Sequence, residues 1–240
     1  LHLSLRRQRQ MCIRDSIGGG LMKKNAFTLA EVLITLGVIG VVAAMTMPAL
    51  ISNHNKSVVE ARLSKAYNVF SNAIRLSEID NGMMKDWPTG ANLDMDNFWN
   101  VYIKPYFVGA KLCLDCTECG YPNNCNTDPF RQKWSGDGNW GLVSSSSRIL
   151  FQLNDGTVIF FPRNTSHSDG SPAYVSSLFI DINGPKKPNE AGRDVFYFDR
   201  NYKSGIISAP EGDCKTSRSS CSYVIMSNGW KIPNDYPYKF

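Results

Sequence analysis

The segment Phe27–Ile51, FTLAEVLITLGVIGVVAAMTMPALI, decides how the rest of this chain is read. From Val32 to Ile51 no side chain is charged, and those twenty residues would form a helix about 30 Å long, the thickness of a bilayer's hydrocarbon core. The run therefore predicts a membrane-spanning helix over 32–51. Lys23 and Lys24 precede it and Lys56 is the next cation after it, so the positive-inside rule favours a cytoplasmic N-terminus and an exported C-terminal part. A cleavable secretory signal has an apolar stretch of about 7–15 residues and a small-residue cleavage site. This run is longer, and an acid, Glu31, stands at its start.

The chain beyond the span keeps a helical period. Val59, Leu63, Ala66, Phe70, Ala73 and Ile74 recur at three- and four-residue spacing, with Glu60, Arg62, Lys65, Asn68 and Arg75 between them. The pattern predicts one helix running to about Asp80, ended by Asn81-Gly82, residues that tolerate a left-handed cap. Some fifty residues of helix reach roughly 80 Å, more than anchoring needs, so the outer half must pack on something. Pro48 lacks an amide hydrogen and crowds the preceding turn, which predicts a kink there. Gly37 and Gly40, with Ala43 and Ala44, thin the segment enough for another backbone to approach, although glycine is common in membrane helices without that role.

The stretch Lys23-Lys24-Asn25-Ala26-Phe27-Thr28-Leu29-Ala30-Glu31 resembles the class III signal-peptide site of type IV pilins and type II secretion pseudopilins. In that family prepilin peptidase removes a short basic leader, and the new first residue, usually phenylalanine, is N-methylated. The fifth mature residue is glutamate, and the twenty-second is often proline. Counted from Phe27, those are Glu31 and Pro48. The resemblance implies cleavage between Ala26 and Phe27, methylation of Phe27, and pairing of the Glu31 carboxylate with a neighbouring subunit's N-terminal amine during filament growth. Ala26 stands where the family usually has glycine, and Ala30 where a bulkier aliphatic is common. Thr28 and Glu31 also form a capping-box pattern, which by itself gives Glu31 the role of starting a helix.

Upstream, residues 8–16 resemble translated sequencing-adapter read-through, and the polar, aperiodic segment runs into Gly18-Gly19-Gly20. The gene product is expected to start at Met22, with 1–21 an artefact or disordered leader, 22–26 the prepilin leader, 27–81 the helix and 82–240 the exported domain. Six of the 26 bases and one of the 21 acids precede Phe27, leaving 20 of each. A balanced chain has no global field to hold a polyanion, so charge predicts no nucleic-acid partner.

In the exported domain, Trp87-Pro88-Thr89-Gly90 reads as a loop, and Phe98 to Tyr106 is a short apolar element of open type. Residues 149–153 and 157–161, around Asn154-Asp155-Gly156, predict a hairpin. Residues 178–181 and 195–198 predict further strands, as do 205–207 and 223–226 more weakly. The fold class expected is α+β: a long N-terminal helix packed on a small antiparallel sheet, the architecture that the pilin resemblance also implies.

Cys113, Cys116, Cys119 and Cys125 form one group and Cys214 and Cys221 a second; Cys12 falls in the suspect leader. Six thiols in an exported domain predict a disulfide framework of undetermined pairing. Four thiolates at Cys-x2-Cys-x2-Cys-x5-Cys are the zinc alternative. Asp181, Asn183, Asn189 and Asp194 gather oxygen ligands around a Gly/Pro-rich loop, a candidate calcium site of the kind that major pseudopilins carry, although Asp-x-Asn-Gly also makes an ordinary turn.

Catalysis finds little support. His54 and His167 are the histidines after the leader, Ser144 to Ser147 reads as loop, and no nucleophile elbow, phosphate-cradling glycine loop or His-Glu-x-x-His pair is present. The expected function is a structural subunit of a type IV pilus-like or pseudopilus filament, held in the cytoplasmic membrane before it joins like subunits outside. The alternatives are a minor or tip subunit that grips DNA, a surface or cargo, and a signal-anchored enzyme.

Overall fold

The computed structural model describes residues 28–88, 94–122, 131–133, 139–141, 148–162, 175–201 and 206–240. The chain falls into two compact units, Leu1–Thr46 and Met47–Phe240. The leader, Ala26 and Phe27, and the expectations placed on Cys12, Cys125, Ser144 to Ser147 and His167, lie outside the described residues.

Helix α1 spans Leu29–Asn81, with Pro48 inside it. Its end falls where the sequence put it, because Gly82 takes φ 79°, a left-handed value that glycine reaches without steric penalty. In the first unit the large apolar side chains of α1 have no cover: Leu33 is 62 % exposed, Ile39 63 % and Met45 74 %. Among the described residues, α1 is a helix long and apolar enough to cross a membrane.

In the second unit the predicted stripe is buried. Val59, Leu63, Ala66, Phe70, Ala73 and Ile74 pack in one core with alternate residues of a six-stranded antiparallel sheet. Its strands are β1 (Lys111–Leu112), β4 (Arg148–Gln152), β5 (Val158–Pro162), β6 (Val175–Asp181), β7 (Val195–Asn201) and β8 (Ile206–Ser208), in the order β1-β4-β5-β6-β7-β8. Short strands β2 (Arg131–Lys133) and β3 (Asn139–Gly141) pair separately. The pleat assigns Phe151, Ile159, Ile180 and Phe196 to the helix side, with Phe151 opposite Ile159 and Ile180 opposite Phe196. Leu150, Val158, Phe160, Phe179 and Val195 face the other way.

That second face is covered as well. The segment around Cys113, Cys116, Cys119 and Tyr121 packs on it, with the Phe160 and Phe179 rings stacked at 4.4 Å. The sheet therefore lies between a helix and a cystine-rich layer, which is why its strands read as nearly continuous apolar runs rather than a clean alternation.

Residues 98–106 resolve into helical turns. Helix α2 (Met95–Phe98) leads into a π-turn at Trp99–Ile103 and a 3-10 turn at Lys104–Tyr106. They bring Phe98, Trp99, Ile103 and Phe107 into the main core. One weak strand expectation is overturned: residues 223–226 belong to helix α3 (Cys221–Ser227), which buries Cys221, Ser222 and Ile225. Those positions are spaced i, i+1, i+4, a helical face, and a four-residue apolar run alone cannot separate the two states.

Polar clasps fix α1 against this core. Glu60 accepts from the Ile232 amide at 2.9 Å and from Lys231 Nζ at 2.8 Å, and the Tyr67 hydroxyl donates to the Ile207 carbonyl at 2.8 Å. Lys65 reaches Asp155 in the β4–β5 turn at 2.7 Å.

Candidate functional site

At the head of α1, Thr28 and Glu31 close a reciprocal capping box. The Thr28 amide donates to Glu31 Oε2 at 2.8 Å, the Thr28 hydroxyl donates to the same oxygen at 3.0 Å, and the Glu31 amide donates to Thr28 Oγ1 at 3.2 Å. Between them the two side chains thus satisfy the amides of Thr28 and Glu31 at the start of a helix whose next twenty residues are uncharged. One set of contacts starts the helix and holds an acid at its N-terminal end.

The four oxygen-bearing residues between β6 and β7 do come together, with Asp181, Asn189 and Asp194 buried and Asn183 half-buried. Asp181 is fully buried and Asp194 is 2 % exposed. The Tyr121 hydroxyl donates to Asp181 Oδ2 at 2.5 Å, and the Asn183 amide donates to Asp181 Oδ1 at 3.2 Å. Asp194 accepts from the amides of Asn189 at 2.7 Å and Glu190 at 2.6 Å, and from Asn183 Nδ2 at 3.1 Å. One end of the Asn189 carboxamide lies 3.3 Å from Asp181 Oδ2, 3.3 Å from the Lys186 carbonyl and 2.9 Å from the Gly184 carbonyl, so with its nitrogen inward it serves three acceptors. Gly184 takes φ 62°, and a Cβ there would lie 2.5 Å from the Gly156 carbonyl, so the loop is docked directly on the β4–β5 turn.

The electrostatics follow from burial. Desolvation, and then the negative charge of Asp194, push the Asp181 carboxyl well above its ordinary range. Asp194 is also raised by burial, which outweighs the amide hydrogen bonds that favour its charge. The Tyr121 hydroxyl is pushed well up by burial and then by the nearby Asp181, and so stays a donor.

The donor set suits a hard cation in kind. With the Asn189 carboxamide turned over, its oxygen joins Asp181 Oδ2 and the carbonyls of Gly184 and Lys186, while Asn183 Oδ1 is buried with no hydrogen-bond partner. Asp194, with three N–H donors already on it, braces the loop. Among the described residues no group of three or more His, Cys, Asp or Glu side chains is placed to hold a metal.

The cysteines among the described residues are oxidised. Cys113 bonds Cys119 and Cys214 bonds Cys221. Cys116 is also in a disulfide, so the first cysteine group does not offer the four thiolates that the zinc alternative needs. Tyr121 is the participant that sequence reasoning missed: it is sixty residues from Asp181, and the strand order that unites them is not a local signal. His54 is exposed on α1.

Comparison with known families gives two matches. Residues 49–240 match the family described as Family of unknown function (DUF6613), and residues 21–47 match the prokaryotic N-terminal methylation motif. No curated protein and no solved structure matches the chain.

Proposed function

For a chain that belongs to the DUF6613 family and carries a prokaryotic N-terminal methylation motif at its head, we propose the role of a structural subunit in a type IV pilus-like or pseudopilus filament. The supporting observation is the division of α1: its methylation-motif portion leaves Leu33, Ile39 and Met45 uncovered, while its later stripe is buried against a sheet. Exposed apolar surface on that scale needs a bilayer or like helices around it. In this reading prepilin peptidase cuts between Ala26 and Phe27, Phe27 is N-methylated, and the subunit waits in the cytoplasmic membrane with its C-terminal domain outside. It then joins its copies through α1, in a periplasmic or extracellular filament. The Glu31 carboxylate meets the amine of the next subunit's first residue, since an acid in an apolar helix bundle is stabilised by a cation. The role is one of assembly, with no catalysis.

Intact-mass measurement of the chain made with and without prepilin peptidase tests the proposal. Loss of everything up to Ala26 together with gain of one methyl group, only when the peptidase is present, is the expected result. Processing that is independent of the peptidase would sink it. Glu31→Gln is expected to keep the cap and the cleavage while filament incorporation drops by tenfold or more. Normal incorporation of that variant would leave helix capping as its whole role.

A hard cation enters this reading only at the Asp181 loop. Asp181, Asn189 and the carbonyls of Gly184 and Lys186 would hold calcium, and its charge would offset two buried carboxylates. Calcium is expected to raise the thermal midpoint of the chain, and Asp181→Asn to abolish the rise. Equal midpoints in calcium and in chelator would remove the ion from the account.

A further inference from the structure

Beside the loop lies a cavity of about 320 Å³ that neither the sheet nor the proposed polymerisation uses. Val58, Val59 and Arg62 of α1 line it together with Lys186, Lys187 and Phe240. Its charges are unbalanced. Arg62 spends one N–H on the Ile182 carbonyl at 3.3 Å and, like Lys186 and Lys187, has no acidic partner among the described residues. Arg193, also on the lining, pairs with Glu190 at 3.1 Å, and the Asp194 carboxylate is engaged by three N–H donors. Three cations therefore look onto a space whose remaining surface includes Val58, Val59, Ile182 and Pro188. Such a mixture suits a ligand that is anionic at one end and hydrocarbon at the other.

The position of the cavity along α1 narrows the choice. Asn55, also on its wall, follows Ile51, the last residue of the uncharged run, by four residues. At 1.5 Å per residue, the cavity's helical wall begins about 6 Å beyond that run and ends roughly 16 Å beyond it at Arg62. The headgroup layer outside the hydrocarbon core is about 5–8 Å deep on each side, and lysine and arginine side chains reach back several ångströms to it. We propose that this cavity holds the phosphate of an anionic phospholipid at the outer limit of the headgroup layer, met there by the Arg62, Lys186 and Lys187 side chains, while the subunit is stored in the membrane. The proposal rests on the reading of 32–51 as a span.

The full chain, purified in neutral detergent, is offered phosphatidylglycerol or phosphatidylcholine, and retained lipid is counted by native mass spectrometry, with inorganic phosphate as a third arm. Phosphatidylglycerol is expected to be retained in preference to phosphatidylcholine. Lys186→Glu/Lys187→Glu is expected to weaken that retention by roughly tenfold or more, since each cation near an anionic lipid is worth about fivefold. Lys104→Glu/Lys215→Glu changes the net charge identically at exposed positions outside the cavity lining and is expected to leave retention unchanged. Equal retention of the two lipids, or equal loss in the two double variants, overturns the site. Inorganic phosphate that displaces the lipid completely at millimolar concentration makes the ligand a free anion and overturns the lipid assignment. A chain that stays in solution without detergent refutes the span itself, and that failure is seen before any lipid is counted.

Discussion

Asp181 and Asp194 are two acids set in a loop where, among the described residues, no lysine or arginine is a hydrogen-bond partner of either. Their proximity to a turn was legible, because Asp-x-Asn-Gly between two strand patterns marks a loop. Their burial was not, since it depends on Tyr121 arriving from the cystine-rich layer and on Gly184 meeting the Gly156 carbonyl. The raised Asp181 carboxyl has a definite consequence for stability. A group whose folded pKa exceeds its unfolded one contributes stability that is complete below the unfolded value, about 4, and is lost as pH rises through the folded value. In chelator, Asp181→Asn should therefore unfold at a higher temperature relative to the parent as pH is raised from about 4 to 7, because the variant escapes the cost of ionising a buried acid. Thermal melts at several pH values check it, and a constant gap would refute it.

Among the elements, α1 and the β4–β5 hairpin were readable because both signals are short-range: a helical period for the helix, and two β-rich runs around Asn154-Asp155-Gly156 for the hairpin. Helix α3 was misread because its apolar run is shorter than one clear period, and because Cys221, which begins it, is tied to Cys214. The cover on the sheet's second face was invisible for a different reason: Cys113 to Tyr121 contain few large hydrophobics, and their burial comes from cystine and from contact with distant strands. The stripe on α1 makes a quantitative prediction. Phe70 is 1 % exposed between the helix and the sheet, so Phe70→Ala should cost about 3–5 kcal/mol. Leu76, on the same helix but 54 % exposed, should tolerate alanine within about 0.5 kcal/mol in the isolated subunit. Denaturant titration distinguishes these outcomes, and comparable losses at both positions would deny that α1 is held by one face.

At the scale of the whole molecule, the bridge between Cys113 and Cys119 staples the layer that clothes the outer side of the sheet. Closing so short a loop restricts the unfolded chain by about 2 kcal/mol, so Cys113→Ser/Cys119→Ser should lower stability by that order, and reductant, which also opens the Cys214–Cys221 bridge and that of Cys116, should lower the parent's further. An unchanged denaturation midpoint in reductant would deny the layer its part in the fold. The bridge also bears on timing. Thiols stay reduced on the cytoplasmic side of the membrane, so under the proposed topology the sheet's far side is only loosely clad until the C-terminal domain has crossed. On that topology translocation would come first and closure second: the oxidising compartment itself would finish the head, and a subunit that never crossed would be left permanently short of its last fastening.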